Sequence, residues 1–329
     1  MEHQGRGRYQ RDGQRRADRP SRSLTDAHAA AHALAEGELV ILPTETVYGL
    51  AADAANAAAV ARLYEAKGRP RFNPLIAHVE DWAAAERFAR LDERARTLTD
   101  AFWPGPLTIV APLTDPTAVC DLARAGLDTV AVRAPAHPLA RAVLREFGRP
   151  VVAPSANRSG RPSPTTFAAA VAETGSAAAV ALDGGPCAVG LESTVVALLD
   201  GPPRLLRPGA VTRAQIEALI GPLAEAEADA ARSPGRLTRH YAPNARLRLD
   251  VDRPGADEAF LAFGPAPDGP HVFNLSPSRD LAEAAANLFA HLRAADRLSP
   301  TAIAVAPIPG EGLGEAINDR LRRAAGYVG

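Results

Sequence analysis

The sequence has little cysteine, lysine, methionine or tryptophan: its 329 residues include two Cys, one Lys, one Met and two Trp. Cys120 and Cys187 lie far apart, with no CxxC spacing and no grouping with His, which argues against a disulfide framework and a structural zinc site. This usage fits a reducing compartment, so we expect a cytoplasmic protein.

No apolar run approaches the length of a membrane span, and the N-terminus lacks the apolar core of a signal peptide. We therefore expect no membrane binding.

Three common motifs of nucleotide and metal sites are absent from the sequence. There is no GxGxxG after an apolar strand and no GxxxxGKS/T, so neither a Rossmann dinucleotide site nor a P-loop is indicated. Metal-ligand spacings such as HExxH are missing too. We expect no metal site built by the protein itself, and any metal would arrive as Mg²⁺ on a nucleotide.

Residues 1–22 contain seven arginines, three acidic residues and almost nothing apolar. Such a segment cannot bury enough surface to offset the entropy lost on ordering, so we expect a disordered basic tail. The tail could contact RNA electrostatically or could be a solubilising extension. The formal net charge of −1 gives no further indication of a nucleic-acid binder.

Apolar runs and helical periodicity alternate between residues 23 and 222, which is typical of an α/β sheet with covering helices. The hydrophobic content of 47% is ample for real cores, and the length suggests two domains, or one large and one small. The sequence predicts strands at 38–43, 75–79, 107–112, 129–133, 150–153, 179–182 and 194–199. It predicts helices at 25–36, 56–67, 81–89, 92–101, 137–147, 165–174 and 212–220.

The composition changes after residue 220. Residues 223–245 contain Ala/Glu/Asp, Pro and Gly before His240 and Tyr241, which predicts an ordered linker rather than a helix or strand. Apolar runs near 246–251, 259–263, 271–275 and 301–306, with helical patterns at 280–296 and 312–325, predict a small second α/β domain over 246–329.

The single lysine, Lys67, lies in the densest cationic cluster of the ordered sequence, together with Arg69 and Arg71. The chain has 37 Lys and Arg residues, and 36 of them are arginines. The lone lysine therefore suggests a site that needs a compact point charge on a flexible stem. One interpretation is an anion site. The other is a helix C-terminus, where basic residues before Gly68 interact favourably with the helix dipole.

Polar segments follow several of the predicted strands, at the end where open α/β sheets commonly bind ligands. PTETVYGL (43–50) and GLESTVV (190–196) offer Thr, Ser and Glu, and PSANRSGRPSPTT (154–166) combines hydroxyls with Asn and Arg. Arg133 and Arg207 end two strands and could bind a carboxylate or phosphate with both arms of the guanidinium. Taken singly, each segment is as compatible with ordinary turn chemistry or surface ion pairs. Ser155 lacks a nucleophile elbow, and no base is recognisable for it.

The segments in order resemble the threonylcarbamoyl-AMP synthase family, in its long form with a C-terminal extension. The motifs are PTETVYGL, KGRPRFNPLIAHV (67–79), FWPGPLT (102–108), VAVRAP (130–135), PSANRSGRPSPT (154–165), ESTVV (192–196) and LRPGA (206–210). SPGRLTRHYAP (233–243) and GLGEAINDRLRRAA (312–325) resemble the long form specifically. The resemblance implies a YrdC-like twisted sheet with covering helices, followed by a linker and a second small α/β domain that is Rossmann-like. Ala51 departs from the Gly that the family often has there, and the C-terminal domain is somewhat short.

The resemblance also implies the reaction, a nucleotidyl transfer. L-threonine, bicarbonate and ATP would be joined into threonylcarbamoyl-AMP with release of pyrophosphate, Mg²⁺ entering with ATP. The product would pass to the tRNA threonylcarbamoyltransferase machinery, which modifies the adenosine beside the anticodon, and a weak contact with tRNA is conceivable.

The family's functional residues carry over onto matching positions. Lys67 and Arg69 would be catalytic. Threonine would be bound by Thr46, His78, Arg133, Ser155 and Ser193. ATP would be bound by Lys67, Arg69, Asn73, Thr129, Asn157, Thr165, Arg207 and Tyr241, the last of which would close over the nucleotide from the linker.

Two other functions are consistent with parts of the pattern. An RNA-binding module of the same fold would use a basic concave face and bind RNA in a strongly salt-dependent way. Against it, aromatic residues make up only 5% of the chain, and cations mixed with hydroxyls suit a small anionic ligand better. A carbamoyl-transfer relative would ignore threonine, and the chain lacks the acylphosphatase-like and zinc-finger segments that such a relative would add.

Overall fold

The computed structural model describes residues 22–225 and 240–326. The predicted disordered tail lies outside the described residues except for Arg22, which begins the first helix. Most of the predicted linker, residues 226–239, also lies outside them, so these two predictions stay predictions. None of the helices within the described ranges is long and apolar enough to cross a membrane.

The first unit is built on a ten-stranded, mixed sheet. Its strands are β1 (Val40–Leu42), β2 (Gly49–Asp53), β3 (Ile76–His78), β4 (Leu107–Pro112), β5 (Thr129–Arg133), β6 (Val151–Val152), β7 (Val180–Ala181), β8 (Thr194–Ala197), β9 (Arg204–Arg207) and β10 (Ala224–Glu225). Their order across the sheet is β10-β9-β8-β4-β5-β3-β6-β2-β1-β7. Parallel pairing of β3 with β5 and of β4 with β8 brings chain segments that are distant in sequence to one edge.

Eight helices in the described part of this unit cover the sheet. They are α1 (Arg22–Ala35), α2 (Ala57–Lys67), α3 (Trp82–Glu86), α4 (Glu93–Phe102), α5 (Asp121–Arg124), α6 (Pro138–Phe147), α7 (Phe167–Thr174) and α8 (Arg213–Ile220), and a short 3₁₀ turn spans Gly175–Ala177. Their starts follow local chemistry: the side chains of Asn56, Asp92 and Thr212 accept backbone N–H groups in the first turn of α2, α4 and α8.

The predicted strands and helices of this unit are all present, and three further elements were missed. The strand β2 is glycine- and alanine-rich and lacks the β-branched pattern that marks a strand. The helix α5 has four residues. The strand β10 has two residues and pairs with β9 inside the segment predicted as linker, so the first sheet extends to residue 225. Elements this short are defined by their neighbours in space, which a local pattern does not contain.

The second unit is a four-stranded parallel sheet in the order β11-β14-β12-β13. Its strands are β11 (Arg246–Arg248), β12 (Ala259–Ala262), β13 (Val272–Asn274) and β14 (Ala302–Val305), and its helices are α9 (Leu281–Arg297) and α10 (Leu313–Ala325). A parallel sheet packed on helices confirms the predicted small, Rossmann-like domain.

Within the described ranges, no helix covers the middle of one face of the ten-stranded sheet, and this leaves room for a site. Side chains alternate along a strand, so Ile76 and His78 point to one side, as do Thr129, Ala131 and Arg133. The apolar members of this face form a small cluster to which, among the described residues, no helix contributes. The helices α2 and α4 pack on the opposite face, whereas α1 and α6 cover only the far end of the sheet.

Candidate functional site

A small cleft lies on this face, between the two units. It is lined by Thr46, Val47, Arg69, Pro74, Leu75, Ile76, His78, Arg133, Ala153, Pro154, Ser155, Glu192, Ser193, Arg207, His240 and Tyr241. Its volume is about 50 Å³, whereas pockets for drug-sized ligands typically measure about 300–1,000 Å³. The structure brings together eight of the predicted site residues here, namely Thr46, Arg69, His78, Arg133, Ser155, Ser193, Arg207 and Tyr241.

Arg133 is held at one end of the cleft by three partners. Its Nε donates to the carbonyl of Gly105 at 3.1 Å, one Nη to Thr46 Oγ1 at 2.9 Å, and the other to Glu45 Oε1 at 2.5 Å. Glu45 also accepts the backbone N–H of Ala136 at 3.0 Å. A guanidinium has five N–H groups, so two remain for a ligand. Arg133 is therefore aimed and partly neutralised before any substrate arrives.

His78 lies beside Arg133 and is 2% exposed. Burial, reinforced by the positive charge of Arg133, lowers the pKa of His78 to about 3. The imidazole is therefore neutral at physiological pH, and its Nδ1 lies 3.1 Å from the carbonyl of Ile76. It can offer a neutral polar contact to a ligand without adding charge.

Ser193 and Arg207 meet on the other side of β4 from Arg133, since β4 lies between β5 and β8 in the sheet. The Arg207 guanidinium donates to the carbonyl of Ser193 at 2.8 Å and to its Oγ at 3.1 Å. The same hydroxyl lies 2.7 Å from Thr108 Oγ1. Gly209 makes this approach possible, because a Cβ there would lie 2.4 Å from the backbone N of Thr194. The LRPGA motif thus packs directly against the ESTVV motif.

Lys67 lies beneath the loop of residues 154–166, which we call the polar loop, rather than in the cleft lining. It is 3% exposed, and its Nζ donates to the carbonyls of Ser155 and Asn157. Burial, with a further contribution from the charge of Arg69, lowers the pKa of Lys67 well below its usual value. The helix α2 ends here with Gly68 in the left-handed conformation at φ 58°, so the helix-terminus interpretation of this cluster holds. Arg71 is exposed. The anion-binding interpretation stays a prediction.

The other predicted nucleotide residues surround the cleft without lining it. Asn157 donates its amide N–H groups to the carbonyls of Arg158 and Arg161. Asn73 is 4% exposed, and neither polar atom of its side-chain amide has a hydrogen-bond partner among the described residues. Thr129 begins β5 on the same sheet face as Arg133, at the end near Asn73, because β3 and β5 run parallel. Thr165 is buried in the polar loop. Their predicted roles stay predictions.

His240 and Tyr241 fill much of the space over the cleft. Tyr241 is 1% exposed, and its ring packs against Phe289 of α9 with centroids 5.4 Å apart. His240 packs edge-on against Tyr241 at 4.0 Å. Burial, followed by the charges of Arg69 and other nearby cations, lowers the pKa of His240 well below its usual value. The backbone of this segment is joined to the polar loop by the N–H of Ala242, which donates to the carbonyl of Gly160 at 2.7 Å.

Sequence reasoning missed three charged residues that organise the site. Glu45 orients Arg133, and Glu192 pairs with Arg320 of α10 at 3.0 Å. Both glutamates lie inside motifs that were recognised in the sequence. Each directly precedes a predicted threonine-binding residue, and that position was the signal that could have found them. Arg320 lies more than a hundred residues away in sequence, and only the docking of the two units reveals its contact.

Comparisons with known proteins place the chain in a family. The sequence model described as Telomere recombination (Sua5, YciO, YrdC) matches residues 32–209, and that of the threonylcarbamoyl-AMP synthase C-terminal domain matches residues 211–326. The chain is 40% identical to the threonylcarbamoyl-AMP synthase of Pyrococcus abyssi, with 91% of this chain and 93% of that protein covered. It is 41% identical to that of Bacillus subtilis, with 90% and 92% covered.

Structural comparison agrees with the sequence comparison. The crystal structure of P. abyssi Sua5 complexed with L-threonine superposes with a TM-score of 0.86 at 39% identity, covering 92% of this chain and 95% of the other. Similarity at this level extends over both units and their mutual arrangement. The chain belongs to the Sua5/YciO/YrdC family, in the form that carries the threonylcarbamoyl-AMP synthase C-terminal domain.

Proposed function

We propose that this chain is an L-threonylcarbamoyladenylate synthase, a nucleotidyltransferase that condenses L-threonine, bicarbonate and ATP and releases pyrophosphate. The observation that carries the proposal is the similarity, over nearly the whole of both chains, to a protein crystallised with L-threonine. The cleft supports it because it combines an oriented arginine, several hydroxyls and a cationic side on one sheet face. Its product would serve threonylcarbamoyladenosine formation in tRNA.

The threonine end of the cleft would lie at Arg133. The two remaining N–H groups of this guanidinium suit the amino acid's carboxylate. The hydroxyls of Thr46 and Ser193 would pair with the threonine side chain, since a site built to hydrogen-bond a hydroxyl rejects an analogue that lacks it. His78 and Ser155 would complete this end. The substrate's amine would then face the interior of the cleft.

The nucleotide would lie along the other end, toward Asn73 and Thr129. Arg69 and Arg207 contribute positive charge to the lining, and Lys67 lies directly beneath the loop. The unpartnered amide of Asn73 suits a ligand with donors and acceptors, because a buried amide without partners costs about 1–3 kcal/mol. Asn157, Thr165 and Tyr241 would supply the remaining contacts.

Mg²⁺ would be held by the phosphates of ATP rather than by a protein cluster. Within the described ranges no group of three or more His, Cys, Asp or Glu side chains could hold a metal ion. The cleft carboxylate Glu192 already binds Arg320 and Ser163. The ion would supply charge neutralisation of the phosphates, and the protein's contribution is the arginine side of the cleft.

The chemistry needs this cationic surface because two anions must approach each other. The triphosphate of ATP is already anionic, and the amine of threonine is converted into an N-carboxylate. The amine of threonine adds to the carbon of bicarbonate and loses water, which gives an N-carboxylate. An oxygen of that carboxylate then attacks the α-phosphorus of ATP, and the bond to the bridging oxygen of pyrophosphate breaks. Arg69 and Arg207 would stabilise the charge on the leaving pyrophosphate. Holding the reactants in one cleft supplies proximity, worth up to roughly 7–11 kcal/mol in favourable cases.

Binding would require the His240–Tyr241 segment to move outward. A cavity of about 50 Å³ is too small for ATP and threonine together. The segment contacts both the polar loop and α9, so it could close again over bound nucleotide. Its predicted role as a lid is compatible with this packing.

The test is pyrophosphate release from ATP by the purified chain with Mg²⁺ present, omitting threonine and bicarbonate in turn. We expect release that requires both. Release without threonine would favour the carbamoyl-transfer relative. If the folded protein releases none in any mixture but binds RNA with strong salt dependence, the RNA-binding module is the better function.

A further inference from the structure

The motif GLGEAINDRLRRAA at the C-terminus forms α10, and the reaction proposed above assigns it no part. Arg320 on this helix is 1% exposed, the most deeply buried arginine among the described residues. Burying a guanidinium is costly unless its partners are well placed. Its partners therefore indicate what the helix contributes.

Arg320 reaches across the domain boundary to two segments of the catalytic cleft. Its Nε donates to Glu192 Oε2 at 3.0 Å, and one Nη donates to the carbonyl of Pro208 at 2.7 Å. Glu192 directly precedes Ser193, and Pro208 directly follows Arg207. Ser193 and Arg207 are the two cleft residues that hydrogen-bond each other.

The other contacts of Arg320 and Glu192 strengthen this connection. Asp319 accepts from Arg320 at 2.8 Å and from Arg323 at 2.9 Å, which fixes the guanidinium on the helix. The second oxygen of Glu192 accepts the hydroxyl of Ser163 at 2.5 Å, so the polar loop is tied to the same ion pair. The guanidinium also lies 5.5 Å from the ring centroid of Tyr241.

The electrostatics of the pair depend on both partners. Burial by itself raises the pKa of the Glu192 carboxyl, but the charges of Arg320 and Arg207 more than offset this, and its pKa is lowered. Removing one member of a buried pair leaves an uncompensated charge, whereas replacing both by neutral groups does not. This difference gives the pair a measurable signature.

We propose that Arg320 is a positioning residue for the reaction: through Glu192 and Pro208 it sets the placement of Ser193 against Arg207. The second unit thereby supplies a side chain that organises the cleft of the first. The inference rests on the proposed function, since Ser193 and Arg207 are assigned to threonine and ATP there.

The experiment measures steady-state pyrophosphate release, varying threonine and ATP separately, for Arg320→Gln, Arg320→Lys, Glu192→Gln and the double variant Glu192→Gln/Arg320→Gln. We expect Arg320→Gln to lower kcat/KM for threonine at least about tenfold. Lysine keeps the charge but cannot bind Glu192 and Pro208 through one planar fork, so its activity should lie between those of Gln and wild type. The double variant should be less impaired than Arg320→Gln alone.

The matched control is Glu315→Gln on the same helix. Glu315 also pairs across the domain boundary, with Arg213 at 2.9 Å, but both side chains are partly exposed and neither lines the cleft. Its kinetics should stay within about twofold of wild type. Thermal unfolding of every variant separates loss of folding from loss of positioning, and Arg320→Lys keeps the test open if Arg320→Gln does not fold.

Two results would overturn the inference. Kinetics of Arg320→Gln equal to those of Glu315→Gln, with only the unfolding midpoint lowered, would make Arg320 purely structural. A double variant that shows the full sum of the two single losses would exclude Glu192 as the route. If wild type itself needs no threonine for release, the proposed function has failed instead, and threonine affinity measured by calorimetry on the same variants then decides the role of Arg320.

Discussion

Lys67 holds the polar loop in place through its side chain and its backbone. Its side-chain nitrogen donates to the backbone carbonyls of Ser155 and Asn157. The backbone N–H of Ser159 in turn donates to the carbonyl of Lys67 at 2.7 Å. Arginine would not fit this place equally well, because its fork is planar and larger. The residue therefore fixes the loop, and its role beside the phosphates of ATP stays a prediction.

We expect Lys67→Ala to slow adenylate formation at least about tenfold, equivalent to about 1.4 kcal/mol of transition-state stabilisation. The loop would lose its anchor, and the cleft would lose a neighbouring charge. Single-turnover pyrophosphate release measures the effect. Glu65→Ala, an exposed change in the same helical turn, is the control. Unchanged turnover in Lys67→Ala would remove Lys67 from the mechanism.

His78 gives the protein a pH-dependent stability. Its pKa in the folded state is about 3, against about 6.5 when unfolded. Between these values the unfolded chain binds a proton that the folded chain excludes. The contribution of His78 to the free energy of unfolding is therefore fully present above about pH 6.5. It falls as the pH drops, by up to about 1.4 kcal/mol for each pH unit.

Replacing this histidine should flatten the pH dependence. Denaturant unfolding at pH 7, 6 and 5 is expected to show a smaller slope of unfolding free energy against pH in His78→Gln than in wild type. Leu298, which is 45% exposed and carries no titratable group, provides the control substitution Leu298→Ala, which should leave the slope unchanged. Equal slopes in wild type and His78→Gln would mean that His78 is not excluded from protonation in the folded state.

At the scale of elements, the segment after the linker contacts both α9 and the polar loop. Tyr241 adopts φ 63°, in the left-handed region, and places its ring against α9 while the neighbouring Ala242 pairs with the polar loop. An exposed linker would not account for this burial. The segment packs beside Arg69 and Arg207 in the lining of the cleft.

Tyr241→Ala should weaken nucleotide binding more than threonine binding, because the ring covers the side near Arg69 and Arg207. Titration calorimetry with each ligand measures both affinities. Tyr241→Phe keeps the ring and should retain more of the nucleotide affinity than Tyr241→Ala does. If both affinities stay the same in Tyr241→Ala, the lid role is wrong.

At the scale of the molecule, the two units share a core. Val47 and Leu191 of the first unit belong to the apolar cluster that contains Leu288, Phe289 and Ile317 of the second. Gly190 allows the close approach, because a Cβ there would lie 2.5 Å from the Cα of Ala286 on α9. This packing predicts that the two units unfold together.

Leu191→Ala should lower the free energy of unfolding by about 2–5 kcal/mol and separate the unfolding of the two units. Leu191 is fully buried, so the change leaves a cavity at the junction. Calorimetry should show one transition in wild type and two in the variant. Leu298→Ala, at a leucine that is 45% exposed, should change stability by no more than about 0.5 kcal/mol. A single transition in Leu191→Ala would show that the coupling does not depend on Leu191, and two transitions in wild type would show that the shared core does not couple the units.

The sequence by itself determined the fold class and most elements, because hydrophobic periodicity and helix caps are local. It also determined the family, since the motifs keep their order, and eight residues of the cleft lining. Tertiary structure alone decided that Lys67 lies under the loop, that Glu45 already binds Arg133, and that His240 and Tyr241 line the cleft. It alone brought Arg320 to Glu192, because contacts between units depend on how separate surfaces dock, and spacing along the chain carries no record of that.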